Sequence, residues 1–189
     1  MSEYSLEPIS ALEGFKQQYD GVMLHELVDI GKVSIAIPLA GEKKAEKALA
    51  NLFGVAVPPV GNSTLSDDKM ARVIRLGNDQ LFVLMFDKPT DPKALLAKEI
   101  GDVAYLTDQS DSWVGIEISG PVARQALERI CMIDLNPGVF LEGYAARTLM
   151  EHLGVLIVRS GTQSYTLLSA SSSAKSFLHA VTTSIRNIE

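Results

Sequence analysis

DQSDSWVGIEISGPVARQALERI, residues 108–130, passes from an extended segment through a sharp turn into a helix. Val114, Ile116 and Ile118 alternate with Trp113, Gly115 and Glu117, the period-two pattern of a strand with one apolar face. After Ser119-Gly120-Pro121 the period changes. Val122, Ala123, Ala126, Leu127 and Ile130 form a helical stripe, while Arg124, Gln125, Glu128 and Arg129 face away. Pro121 suits the first helical position, where a missing N–H does no harm. N–H groups at such a turn can hold an anion. Many strand-to-helix turns bind nothing, however, and this one reads as a marker of the fold.

Outward from this segment, hairpins and helices succeed one another. ARVIRL (71–76) and QLFVLMF (80–86) flank Gly77-Asn78-Asp79, residues that tolerate turn dihedrals, so they form a hairpin. Asp91-Pro92 opens a helix carrying Leu95, Leu96 and Ile100, and VAYLTD (103–108) is extended. Downstream, ARTLMEH (146–152), GVLIVRS (154–160) and SYTLLS (164–169) are extended, the last two joined at Gly161-Thr162-Gln163. A closing helix over about 172–186 buries Ala174, Phe177, Leu178, Val181 and Ile185, with serines 171–173 as N-caps.

Upstream, Ile9, Leu12 and Phe15 give a loose helical pattern interrupted by Pro8 and Gly14. VMLHELV (22–28) and KVSIAIP (32–38) are extended around an Asp-Ile-Gly turn. Ala45, Ala48, Leu49 and Leu52 mark a helix that Gly54 ends. VAVPPVGNSTLSDDK (55–69) reads as loop or linker. No coiled-coil or solenoid period is visible. The sum is an α+β fold of about nine short strands and four or five helices.

Of the 189 residues, 47% are hydrophobic and 21% charged, too apolar a chain for disorder. The longest apolar run, LFVLMF, is far short of the ~20 residues of a membrane span. MSEYSLEPIS lacks the basic and apolar regions of a secretory signal, and the single cysteine, Cys131, fits a reducing cytoplasm. A net charge of −6 without a basic cluster argues against nucleic acid as partner.

Several chemistries have no motif here. His25, His152 and His179 are far apart and none has metal-ligand spacing with Cys131. No two glycines are separated by a single residue, which excludes G-x-G-x-x-G, and neither a P-loop nor G-x-S-x-G occurs. Two carboxylate pairs stand out. Asp67-Asp68 precedes the hairpin, and Asp108 and Asp111 lead into the opening segment. Such pairs serve either as acid and base or as turn-forming surface residues.

The ordered set resembles the folate-binding aminomethyltransferase superfamily, whose best-known member is the glycine-cleavage T-protein. The segments that carry the likeness are VIRLGNDQLFVLMF, AYLTDQSDSWVGIEISGPVARQALERICMIDL and LGVLIVRSGTQSYTLL before a final helix. Within that superfamily the chain is most similar to the gamma subunits of heterotetrameric sarcosine oxidase, through GVMLHE (21–26), GKVSIAI (31–37), LFGVAVP (52–58), DQSDSW, ISGP and Asp134-Leu135.

The resemblance implies two ferredoxin-like halves in a single domain over residues 1–189, divided into sub-halves of about 1–65 and 66–189. It also implies an accessory, non-catalytic role in a cytoplasmic complex with alpha, beta and delta subunits. That complex converts sarcosine to glycine and hydrogen peroxide, with formaldehyde or methylene-tetrahydrofolate as the one-carbon product. FAD, FMN, NAD and zinc would lie in the partner subunits, tetrahydrofolate would be the cosubstrate, and this chain would pack beside the folate-binding half of alpha.

Departures from the enzymes' pattern point the same way. Met70 stands where they carry a folate-facing aspartate, and Asp68 reaches that place only through a bulge. Gly161–Thr166 is shorter than their acidic segment and contains no acid, although a pterin's adjacent N–H donors favour a carboxylate. No catalytic, cofactor-binding or metal-ligating residue is therefore expected in this chain. The alternative is a free-standing tetrahydrofolate-binding aminomethyltransferase-like protein using Asp67 or Asp68; a third possibility is an unrelated α+β interaction module.

Overall fold

Residues 81–84 and 155–158 are buried at every position, which a strand achieves only when both faces of its sheet are covered. The computed structural model describes residues 9–87 and 89–188. In chain order it holds β1 (Lys16–Tyr19), β2 (Val22–Glu26), β3 (Gly31–Ala36), α1 (Glu42–Phe53), β4 (Asn62–Leu65), β5 (Ala71–Arg75) and β6 (Gln80–Met85). There follow α2 (Pro92–Ile100), β7 (Tyr105–Asp108), β8 (Trp113–Ser119), α3 (Ala123–Glu128), β9 (Ala145–Met150), β10 (Leu153–Gly161), β11 (Ser164–Ala170) and α4 (Ala174–Arg186).

The strands form a six-stranded sheet, β1-β2-β8-β11-β10-β9, and a five-stranded sheet, β4-β5-β6-β3-β7. Three apolar layers define the stacking. Ile74, Phe82 and Leu84 of the smaller sheet meet Ala145, Leu156, Val158 and Leu168 of the larger. The outer face of the larger sheet packs on α3 and α4 through Ala126, Leu127, Phe177 and Val181. The outer face of the smaller packs on α1 and α2 through Leu49, Phe53, Leu96 and Ile100. Helices therefore cover the outside of a two-sheet core. Alternate residues of β6 and β10 point into different layers, which explains why their sequences read as unbroken apolar runs.

Both sheets contain the expected ferredoxin-like half. In the smaller, β7-β3-β6-β5 are laced by α1 and α2; in the larger, β2-β8-β11-β10 are laced by α3 and α4. The halves match strand for strand; each adds an edge strand, β4 or β9, and the larger sheet also carries β1 beside β2. One difference breaks the symmetry: β7 follows its half, whereas β2 comes from the N-terminal hairpin. The expected boundary near residue 65 consequently runs between β4 and β5, which are paired in one sheet (Leu65 with Arg72). The chain changes sheet between β2 and β3 and again between β7 and β8.

The repeat extends to side chains. Hairpins 73–85 and 157–169 carry Ile74-Arg75-Leu76-Gly77 and Val158-Arg159-Ser160-Gly161. Each arginine donates through Nη2 to the carbonyl three residues on: Arg75 to Asn78 at 2.8 Å, and Arg159 to Thr162 at 3.0 Å.

Several local expectations are met. The 71–86 hairpin pairs Ala71 with Met85 and Arg75 with Leu81. Asp91 caps α2 by accepting from the Ala94 N–H at 2.8 Å, and Gly54 ends α1 at φ 67°. Others are corrected. Ser10–Gly14 form a turn, and the strand β1 begins at Lys16, where the spacing suggested helix; Pro8 lies outside the described residues. The segments around 22–28 and 32–38 are strands, but they belong to different sheets. β4 lies inside the expected loop, and Ser173 caps α4 without a side-chain bond.

Candidate functional site

The Ser119-Gly120-Pro121 turn has no N–H left for an anion among its central groups. Gly120 donates to Gln163 O at 2.9 Å, Val122 to Gly21 O at 3.5 Å and Ala123 to Gly120 O at 3.1 Å. Pro121 does not take the first helical position: α3 starts at Ala123 and spans six residues. The turn serves packing. Gly120 adopts φ 128°, and a Cβ there would lie 2.2 Å from Gly21 O. Only glycine allows the β1–β2 turn to press against the end of β8.

A concavity lies where the chain crosses between the sheets. It is a cleft of about 520 Å³ bordered by Ile9, Val28, Lys32, Asp111 and Trp113. Lys32 is only 6% exposed and ties the crossings together. Its N–H donates to Ser110 Oγ at 3.1 Å, its Nζ to Ser110 O at 3.1 Å and to Ile30 O at 3.4 Å, and its carbonyl accepts from Gln109 at 2.7 Å. Burial lowers the Lys32 pKa, while Asp111, Glu26 and Asp108 oppose that shift. Buried Glu26 anchors the N-terminal turn, accepting from Ser10 Oγ at 2.7 Å, Leu12 N at 3.0 Å and Gly14 N at 2.8 Å. The cleft is built from groups that hold chain crossings, and its polar atoms are largely committed to that task.

The structure separates the two carboxylate pairs by role. Asp108 accepts from the Ser110 N–H at 2.9 Å, an Asx-turn. Asp111 is exposed and contributes to the field around Lys32. Asp68 accepts from Ser66 Oγ at 2.5 Å and Met70 N at 2.9 Å. Those bonds lower its pKa and commit it to the β4–β5 turn. It therefore does not take the place of Met70 just before β5. The Gly161-Thr162-Gln163 turn is also engaged, through Arg159 at Thr162 O and Gly120 at Gln163 O.

His152 lies in the exposed β9–β10 turn, where a strand was expected; His179 is exposed on α4, and His25 is partly buried on β2. No group of three His, Cys, Asp or Glu able to hold a metal is found among the described residues. The reading by motif passed over Lys32, Glu26, Arg72 and Arg159, all nearly buried charges. Their signal was present in part: each is a charged residue at a strand position with at least one apolar neighbour in sequence, where a partner has to be supplied.

Cys131 is a free, partly buried thiol whose backbone pairs with Met150 at the end of β9. Burial raises its thiol pKa, outweighing hydrogen bonds that favour the thiolate. Alkylation by iodoacetamide at about pH 7.5 is expected to be several-fold slower than for free cysteine and to reach the free rate in urea. A native rate equal to that of free cysteine would contradict this placement.

No family model matches the chain. It is 28% identical over 160 residues to the sarcosine oxidase subunit gamma of Corynebacterium sp. (strain P-1), covering 84% of this chain and 77% of that one. In structure it is similar to a chain of the heterotetrameric sarcosine oxidase of Corynebacterium sp. U-96, solved in complex with pyrrole 2-carboxylate. The TM-score is 0.75, with 23% identity over 88% of this chain and 84% of that one. The glycine cleavage system aminomethyltransferase T of Bartonella henselae matches at TM-score 0.66 and 16% identity, covering 85% of this chain and 45% of that one. The two-half fold is shared with both.

Proposed function

From the kinship of this chain with the sarcosine oxidase gamma subunits, we infer that it is the accessory, non-catalytic subunit of a heterotetrameric sarcosine oxidase. The observation that carries this reading is the match to a gamma subunit over most of the length of both chains. The site geometry supports it. The carboxylate nearest the folate-facing position of the enzymes, Asp68, is committed to a turn, and the opening turn spends its N–H groups on backbone.

In this proposal residues 1–189 act as one domain, and the chemistry resides in partner chains equivalent to alpha, beta and delta. Those chains hold FAD, FMN, NAD and zinc, with tetrahydrofolate as cosubstrate, and the assembly is cytoplasmic. No helix among the described residues is long and apolar enough to cross a membrane. The role of this chain is to complete the assembly beside the folate-binding half of the largest subunit.

The test is to express the partner subunits with and without this chain and to follow sarcosine-dependent peroxide formation. Assembly and activity are expected to fall at least roughly tenfold without it, and the chain alone is expected to show none. Full assembly and activity in its absence would overturn the proposal.

A further inference from the structure

Lys32 is a buried cation held by main-chain groups alone. It is 6% exposed, yet among the described residues no ion pair includes it. Its Nζ faces two carbonyls, Ser110 O at 3.1 Å and Ile30 O at 3.4 Å. An ammonium brings three N–H donors and a neutral amine brings two. Two acceptors therefore match the neutral amine, whose lone pair is left unshared. Burial acts in the same direction, against the fields of Asp111, Glu26 and Asp108.

This amine belongs to the wall of the 520 Å³ cleft between the chain crossings, together with Ser110 and Ile30, whose carbonyls hold it. Apolar side chains, among them Val28, Pro89 and Trp113, supply much of the remaining lining, and Asp111 stands in it as an exposed carboxylate. A desolvated lysine beside a cleft of this kind is a nucleophile toward a carbonyl carbon.

We propose that the cleft is a reversible capture site for a small, uncharged aldehyde, held as an imine on Lys32 Nζ. The nitrogen lone pair adds to the carbonyl carbon, the carbonyl oxygen takes up the proton that the nitrogen gives away, and the carbinolamine so formed loses water. One water is released, and nothing is oxidised or reduced. Once protonated, the imine keeps a single N–H, which stays on the nearer acceptor, Ser110 O, while the longer contact to Ile30 O is given up. The fields of Asp111, Glu26 and Asp108 favour that positive charge. The same fields repel an anionic aldehyde, which restricts the ligand to uncharged ones. The site stands independently of the accessory-subunit reading.

The test treats the purified full chain with propanal and sodium cyanoborohydride at about pH 7.5 and follows alkylation of each lysine by peptide mass spectrometry. Lys43 and Lys175, exposed on α1 and α4, are the references. In the native protein Lys32 is expected to react at least roughly tenfold faster than either, and the difference is expected to vanish in urea. Alkylation of native Lys32 at or below the reference rate overturns the proposal.

With glyoxylate, a small anionic aldehyde, in place of propanal, the advantage of Lys32 is expected to fall several-fold. An advantage that persists overturns the assigned ligand class. Val28→Trp narrows the cleft at a residue 44% exposed, so this variant is expected to melt as the wild type does. It is expected to slow Lys32 several-fold and to leave Lys43 unchanged. An undiminished Lys32 rate in that variant would show that the amine is reached by opening of the chain crossings rather than through the cleft, and would overturn the site.

Discussion

Gly120→Ala is expected to cost on the order of 3 kcal/mol or more and to lower the melting temperature by roughly 6–12 °C. Two effects act together. At φ 128° an L residue is strained, and a Cβ would lie 2.2 Å from Gly21 O and 3.2 Å from Val22 Cα. Both contacts are backbone, so no side chain can swing aside. Relief requires β2 to withdraw from β8, loosening the fourth strand of the larger sheet's ferredoxin-like half. Gly21→Ala is the comparison. Its φ of 66° is strained, but its nearest contact is the Val122 side chain at 3.1 Å. There the loss is about 1–2 kcal/mol. Thermal melts or urea midpoints measure both, and a Gly120→Ala protein melting like the wild type would refute the close approach.

The paired arginines give the second large effect. Arg159 is only 6% exposed, and its guanidinium donates to Phe140 O at 2.8 Å and Thr162 O at 3.0 Å, with a longer contact to Pro137 O at 3.4 Å. Arg159→Ala strands those carbonyls and leaves a void beside the β10–β11 hairpin. A loss of about 3 kcal/mol follows from unsatisfied buried acceptors and lost packing. Arg75 makes the equivalent turn contact and pairs with Glu46 at 2.7 Å, but at a more solvated site. Arg75→Ala is expected to cost about 1 kcal/mol. Equal losses at the two positions would contradict the difference in burial between the halves. Arg159→Lys should recover part of the loss, since it restores a donor without the planar fork.

The elements that were legible in the sequence carry local instructions. Gly77-Asn78-Asp79 folds the chain back, Asp91-Pro92 starts α2, and the stripe ending in Ile185 defines α4. Pairing across sheets was less accessible. Alternation in residues 32–38 reveals a buried face without naming its neighbour, so β2 and β3 read as companions although each joins a different sheet. The four residues of β4 carry no apolar alternation of their own, because Ser63 turns inward to bond Gly143 O at 2.9 Å and to accept from Arg72. The two halves were expected from the resemblance, but their residue-level repeat was hidden for a similar reason. It is preserved in strand order and in the two arginine turns, while the sequences that build it have diverged.

The candidate site was legible in part. Asp108 and Asp68 announce Asx-turns, and the structure places both in such turns. Lys32 gave no motif because its acceptors, Ser110 O and Ile30 O, are main-chain groups supplied by tertiary packing. The apolar character of Met70 was visible as a departure from the enzymes' aspartate. Its place beside Phe86 on an exposed face required the register.

The central claim is that this chain works as one subunit among several. Its most direct test is to purify the untagged protein at native abundance by size-exclusion chromatography and follow it with an antibody, recording flavin absorbance and subunit masses across the peak. The account predicts that the chain elutes with three larger or smaller companions in a yellow complex that oxidises sarcosine. A colourless chain eluting alone at its own mass of 20.4 kDa, with sarcosine oxidation in other fractions, would contradict it.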